Sequence, residues 1–273
     1  MKRATILCVI GNNEKLAFLY EKYRDESPRE FRKWLIFKGA SLQLPLEPDS
    51  VALKNAKEYV ERHGGHVDLF SMAEYTKKEL EEIPFFYLDH LRDPLELEGG
   101  SSEYYGTQYE ITCPRCHFRT NLCSDILVDR KYLRRYKNLD IGVLYPDVFV
   151  SERLKTLIEE NGLTGVSFDH RVLDYKQREM EPFYALTVSN VLPPVSSSTW
   201  FGSQIDFPCG HNKTYLRSDL QYEREKLQGA LDFNLTCEYV NNGRHQVLVV
   251  SKEVRDLFKE FKIREHFTPV ALL

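Results

Sequence analysis

The chain has 273 residues, and 37 Lys and Arg against 41 Asp and Glu leave a net charge of −4. That near-balance excludes a binder that relies on a strongly basic whole chain to hold nucleic acid. An apolar content of 42%, with 16 Tyr and 16 Phe, excludes a disordered scaffold, and six cysteines are too few for a disulfide-built mini-domain.

Met1-Lys2-Arg3 runs into the apolar stretch Ala4–Ile10, which is too short for a secretory signal and lacks a small-residue cleavage site after it. A buried first strand is expected there. No apolar run approaches the ~18 residues needed to span a bilayer, so the expected location is the cytoplasm, with cysteines reduced or bound to metal. Ser27-Pro28-Arg29-Glu30 has the order of a capped helix start. Asp49-Ser50 opens a helix through Val51, Leu53, Ala56 and Val60, ended by His63-Gly64. Ser71 and Thr76 compete to cap one helix near residues 72–82, and short apolar runs lie at 34–38, 67–70 and 85–88. Residues 1–83 therefore read as a mixed α/β segment. His63-Gly64-Gly65-His66-Val67-Asp68 offers two imidazoles and a carboxylate, but a helix ending in Gly-Gly before a strand accounts for it without a metal.

The remainder reads as an internal duplication. Pro114–Leu133 set against Pro208–Leu227, an offset of 94, aligns His117 with His211, Ser124 with Ser218, Asp125 with Asp219 and Arg130 with Arg224. Gly106-Thr107-Gln108 faces Gly202-Ser203-Gln204 at offset 96, and Pro84–Leu88 faces Pro182–Leu186 at offset 98. Ser151 and Ser251 each precede a helix whose apolar stripe is Leu154, Leu157, Ile158 or Val254, Leu257, Phe258. The expected fold class is α+β: segment 1–83, then two tandem repeats of about 90 residues at 84–175 and 176–273, packed about a pseudo-two-fold. Ser124-Asp125 and Ser218-Asp219 recur in both copies, which suits a strand-end role better than catalysis.

Cys113-Pro114-Arg115-Cys116 is a knuckle of the kind that presents two thiolates to a tetrahedral Zn²⁺. Cys209 and His211 fall at the matching turn of the second copy. If the two turns meet, Cys113, Cys116, Cys209 and His211 close one Cys₃His structural zinc site. Cys123 and His117 are weaker candidates. Arg115, Arg119, Arg130, Lys131, Arg134, Arg135 and Lys137 form a local basic cluster interleaved with Tyr132 and Tyr136. It could contact RNA or DNA phosphates, but a solvated helix face, or a surface shaped for an acidic protein partner, is the favoured reading.

The knuckle Cys113–Cys116, the phrase Val150-Ser151-Glu152-Arg153-Leu154 and the ending Gly162-Leu163-Thr164-Gly165-Val166-Ser167-Phe168 resemble the bacterial double-CXXCG proteins and related immunity proteins encoded beside polymorphic toxins. The pattern departs from that group at His117, which stands where the family pattern has glycine, and in a second knuckle reduced to Cys209-Gly210-His211. The resemblance implies a non-enzymatic cytosolic protein that neutralises a cognate protein toxin by direct binding, with one structural zinc. The alternative is a zinc-ribbon-like nucleic-acid binder using Arg130, Lys131, Arg134 and Arg135.

Overall fold

A computed structural model describes residues 2–10, 12–38, 40–88, 91, 106–110, 122–133, 139–144, 147–176, 180–202, 205–206, 212–213, 215–240 and 245–273. They are α+β and form two compact units. The first unit joins residues 1–83 to two short pieces of later chain, 197–202 and 216–219.

In the first unit, β1 (Lys2–Ile10) leads into α1 (Asn13–Tyr23), a hairpin of β2 (Ile36–Lys38) and β3 (Ser41–Leu46), α2 (Val51–Arg62), β4 (His66–Glu74) and α3 (Lys77–Glu82). The sheet order is β2-β3-β1-β4 and every pairing is antiparallel. That is the split βαβ arrangement, two crossed β-α-β units sharing one sheet. Alternation along the strands sends Leu7, Val9, Leu42, Leu44 and Leu46 to one core, where Leu16, Leu19, Ala56 and Val60 of the helices meet them.

Local chemistry sets the helix ends. The Asn12 side chain accepts from Glu14 N–H at 2.8 Å and Ser50 Oγ from Leu53 N–H at 3.1 Å. α2 stops at Arg62, followed by Gly64 at φ +68°. Thr76, not Ser71, caps α3: Thr76 and Glu79 form a reciprocal capping box, while Ser71 lies inside β4. The helix expected after Ser27-Pro28 is only a 3₁₀ turn, Arg29–Trp34. Pro28 stays extended and Ser27 makes no cap; with Phe31 the sole buried side chain, nothing anchors a longer helix.

On the far side of this sheet, the late pieces of chain take part. Ser71 N–H donates to Arg217 O at 2.7 Å, and the Arg217 guanidinium reaches Asp68 at 2.7 Å and lies 4.3 Å from the Phe70 ring centroid. Burial, helped by the Asp68 charge and opposed by Arg217, pushes the Cys8 thiol up to about 11, so it packs as an inert apolar group.

The second unit begins with β5 (Phe85–Leu88), β6 (Ile126–Val128), α4 (Arg130–Leu133), β7 (Ile141–Leu144), β8 (Asp147–Ser151), α5 (Glu152–Glu160), β9 (Val166–Ser167), β10 (Arg171–Asp174), β11 (Met180–Ala185) and β12 (Thr187–Val188). It continues with β13 (Ile205–Asp206), β14 (Asn212–Lys213), β15 (Gln221–Tyr222), β16 (Phe233–Val240), β17 (His245–Ser251), α6 (Lys252–Glu260), β18 (Phe267–Pro269) and β19 (Ala271–Leu272). One sheet has the order β7-β8-β11-β10-β6, with β6 parallel to β10; a second runs β16-β17-β5-β18, and β19 just beyond β18 pairs parallel with β15. Strand for strand the two orders correspond. Ser151 caps α5 through Leu154 N–H and hydrogen-bonds Asp140 Oδ1 at 2.8 Å; Ser251 caps α6 through Val254 N–H and bonds Asp232 Oδ1 at 2.8 Å.

Two features differ from the sequence reading. First, β5 and β11 occupy matched registers, Phe86 opposite Val250 and Tyr184 opposite Val150, but each has joined a sheet that the chain-order division at 175/176 does not anticipate. β11, from the segment assigned to the second copy, completes the first sheet; β5, from the start of the first copy, completes the second. Strand partners follow from register and free edges rather than chain proximity, so composition near residue 175 carries no signal of this.

Second, the match of Gly106–Gln108 with Gly202–Gln204 gives way to another. Gln108 N–H donates to Ser124 Oγ as Trp200 N–H donates to Ser218 Oγ, and both hydroxyls donate to the next carbonyl, Asp125 O or Asp219 O. Tyr109 bridges Leu122 as Phe201 bridges Leu216. The offset upstream of the cysteine turns is thus 92, not 96. The expected stripe of α5 and α6 is buried at Leu154, Ile158, Val254, Leu257 and Phe258, with Leu157 half-buried.

Candidate functional site

The four residues read as zinc ligands, Cys113, Cys116, Cys209 and His211, lie outside the described residues, as do His117, Arg134 and Arg135. What is described is the base of each turn. The Tyr109–Leu122 bridge precedes one, and the Phe201–Leu216 bridge, followed by the β13–β14 ribbon, precedes the other. Cys123, the weaker candidate, is exposed, and its N–H donates to Gln108 O at 2.9 Å. Among the described residues, no cluster of three or more His, Cys, Asp or Glu is arranged to hold a metal.

Of the basic cluster, Arg130 and Lys131 are described, and both face carboxylates. The Arg130 guanidinium pairs with Glu181, and the Arg130 backbone N–H donates to Asp174 Oδ1 at 3.1 Å. Lys131 Nζ lies 3.8 Å from Asp129, which Lys176 also approaches at 3.7 Å. These contacts close a helix onto a sheet end and leave less positive charge for a phosphate than the sequence suggests.

The imidazoles at 63 and 66 do not converge on a metal. The His63 ring bonds Tyr59 O at 2.7 Å and stacks on the Tyr59 ring, while Asp68 is held by Arg217. Ser124 and Ser218 carry the two hairpin bases described above, and Asp125 Oδ1 accepts Arg171 N–H at 2.8 Å. Both Ser-Asp pairs therefore work at strand ends. Asn234, in one of two Asn-x-Thr sequences, is fully buried and bonds Leu231 and Asn190, so it is a frame residue.

One exposed surface of the first unit stands out, and the sequence reading missed it. α1 carries aromatic rings on both flanks. Phe18 stacks on Tyr59 of α2 at 4.8 Å, and Tyr59 on His63 at 4.2 Å; on the other flank Tyr20 stacks on Phe37 of β2 at 5.6 Å. Lys22 lies over Phe18 at 5.5 Å and Arg24 over Tyr20 at 5.9 Å. Phe18, Ile36 and Phe37 remain 46%, 43% and 39% exposed, with β2 the outermost strand of its sheet. The available signal was Asn12 followed by Leu16, Leu19 and Tyr23, a capped apolar stripe that leaves Phe18 off it. A neighbouring cavity bounded by Val9, Lys15, Tyr59, Val60, His63 and Gly65 measures about 220 Å³, smaller than ordinary small-molecule pockets. The exposed rings thus suit contact with a surface better than capture of a small ligand.

No helix among the described residues is long and apolar enough to cross a membrane. Compared with known proteins, the chain matches no family model and no curated protein.

Proposed function

We propose that this chain is a non-enzymatic binding protein of bacterial immunity type, which neutralises a cognate protein toxin by covering part of its surface. The observation that carries the binding half is the exposed aromatic face of α1, α2 and β2. Exposed Phe18 and Phe37, held in place by ring stacking beside the exposed Ile36, with Lys22 over Phe18 and Arg24 over Tyr20, have the composition of an interface centre, where aromatics and cations are enriched. Stacking fixes these rings before any partner arrives, so little side-chain entropy is lost on docking. The toxin half rests on the resemblance of the Cys113–Cys116 and Val150–Leu154 motifs to immunity proteins.

The test is co-expression with the product of an adjacent toxin-like reading frame. The chain is expected to restore growth and co-purify with the toxin. The double variant Phe18→Ser/Phe37→Ser is expected to lose at least about 2 kcal/mol of binding, roughly thirtyfold in Kd, while its thermal midpoint hardly moves. Growth rescue by the double variant at wild-type level overturns the assignment of this face.

The same reading includes one structural zinc on Cys113, Cys116, Cys209 and His211, supported by the spacing of the two turns. Protein purified without added metal is expected to carry about one zinc equivalent and to lose stability on chelation, since structural zinc contributes to folding directly. A metal-free protein with an unchanged melting curve removes the zinc from the proposal.

A further inference from the structure

The two sheets of the second unit treat one position in opposite ways. Tyr184 on β11 and Phe86 on β5 hold the same register, opposite Val150 and Val250. Lys155 on α5 and Arg255 on α6 each stand four residues after the capping serine. In the second sheet this place is closed. The Arg255 guanidinium is buried 4.3 Å over the Phe86 ring and paired with Asp256 at 2.9 Å, Phe267 packs edge-on against Phe86, and Pro269 is the strand neighbour.

In the first sheet the same place is open and cationic. Arg171 replaces the proline as strand neighbour of Tyr184, and its guanidinium lies 4.3 Å from the ring centroid. Lys155 Nζ lies 5.1 Å from that centroid and 5.7 Å from the Phe168 ring. Arg171 Nε is buried without a hydrogen-bond partner, and among the described residues no carboxylate forms an ion pair with this guanidinium. Asp125 is engaged by the Arg171 backbone N–H, not by its side chain, and Glu159 pairs with Lys155 at 2.8 Å. Tyr184 and Phe168 stay half-buried. A guanidinium with a desolvated N–H and no counter-ion lacks compensation that a carboxylate would supply through charge-assisted hydrogen bonds. Planar Arg against an aromatic wall is also a recurrent anchor at protein interfaces.

We propose that Arg171, Lys155 and Tyr184 form an anion subsite that receives a carboxylate side chain from an acidic segment of a protein partner. With Lys155 paired to Glu159, the Arg171 guanidinium is the one cation here without an ion-pair partner among the described residues, which suits a carboxylate better than a phosphate dianion. The assignment rests on the reading of this chain as a protein-binding protein, but its test needs no toxin.

The full chain is titrated at low ionic strength with a blocked octaglutamate peptide, with octaglutamine, and separately with inorganic phosphate. Octaglutamate is expected to bind saturably and octaglutamine not at all. Arg171→Gln is expected to weaken octaglutamate about tenfold and Lys155→Gln about threefold, with Lys57→Gln on α2 unchanged. Lys155 is partly exposed and Lys155→Gln carries the test if Arg171→Gln melts early. Equal binding of the two peptides, unaltered affinity in both subsite variants, an equal loss in Lys57→Gln, or binding of phosphate in place of octaglutamate each overturns the proposal. Octaglutamate binding with no protection against a toxin instead overturns the immunity reading and leaves the subsite standing.

Discussion

At the residue scale, one position after each helix of the second unit shows how a backbone requirement outlives the residue that suits it. Gly162 (φ +63°) and Lys262 (φ +59°) both follow a helix end in the left-handed region. In each case the next N–H returns to the helix, Leu163 to Ile158 O at 3.1 Å and Ile263 to Phe258 O at 2.8 Å, the longer bond of a Schellman cap. Glycine takes this conformation freely, whereas a lysine there carries roughly 1–2 kcal/mol of strain. Part of any gain from glycine is lost to its greater freedom in the unfolded chain, about 0.4–1 kcal/mol. Lys262→Gly is therefore expected to stabilise the chain by about 0.5–1 kcal/mol and to raise its thermal midpoint by about 1–3 °C. A denaturation series against wild type measures it. Gly165 is the stricter case: a Cβ there would sit 2.3 Å from Phe233 O, so the φ of +91° and the close approach both require glycine.

At the element scale, what the sequence made legible is what local chemistry decides. Ser50, Thr76, Ser151 and Ser251 cap helices by accepting from the N–H three residues on, and the apolar stripes of α5 and α6 need only a 3.6-residue period. The first strand and the Gly64 stop are legible for the same reason. α1 is legible in part, since Asn12 and the Leu16-Leu19-Tyr23 spacing mark a capped apolar stripe, but that stripe carries no sign of the exposed Phe18 ring beside it. Illegible for physical reasons were the partners of β5 and β11 and the correspondence of Gln108 with Trp200, because a strand's neighbours and a hairpin's register are chosen by long-range packing that no window of sequence contains. The Arg171 subsite is a mixed case: Tyr184 and Phe86 align directly at offset 98, yet only the packing tells that one ring is closed over and the other is not.

At the scale of the whole molecule, the exchange of β5 and β11 ties distant stretches of chain into one stability unit. β5 is the middle strand between β17 and β18, and Phe86, Tyr87 and Leu88 are all buried there. The second sheet thus depends on a segment some 150 residues upstream of its own hairpin, closing much as a clasp closes a ring. At roughly 1.5–3 kcal/mol for each fully buried large side chain, these three contribute an amount comparable with the whole stability of an ordinary domain. Phe86→Ala is expected to cost about 3–5 kcal/mol and to speed amide exchange most in β16, β17 and β18, far from the substitution in sequence. The matched change on the first sheet, Tyr184→Ala, removes a half-buried ring and is expected to cost clearly less, with faster exchange centred on β8 and β10. Exchange mapped along the chain separates this from a simple neighbour effect. If Phe86→Ala instead accelerated exchange chiefly in β6–β8, the following stretch of chain, the strand would belong to the first sheet and the exchange of strands would be wrong.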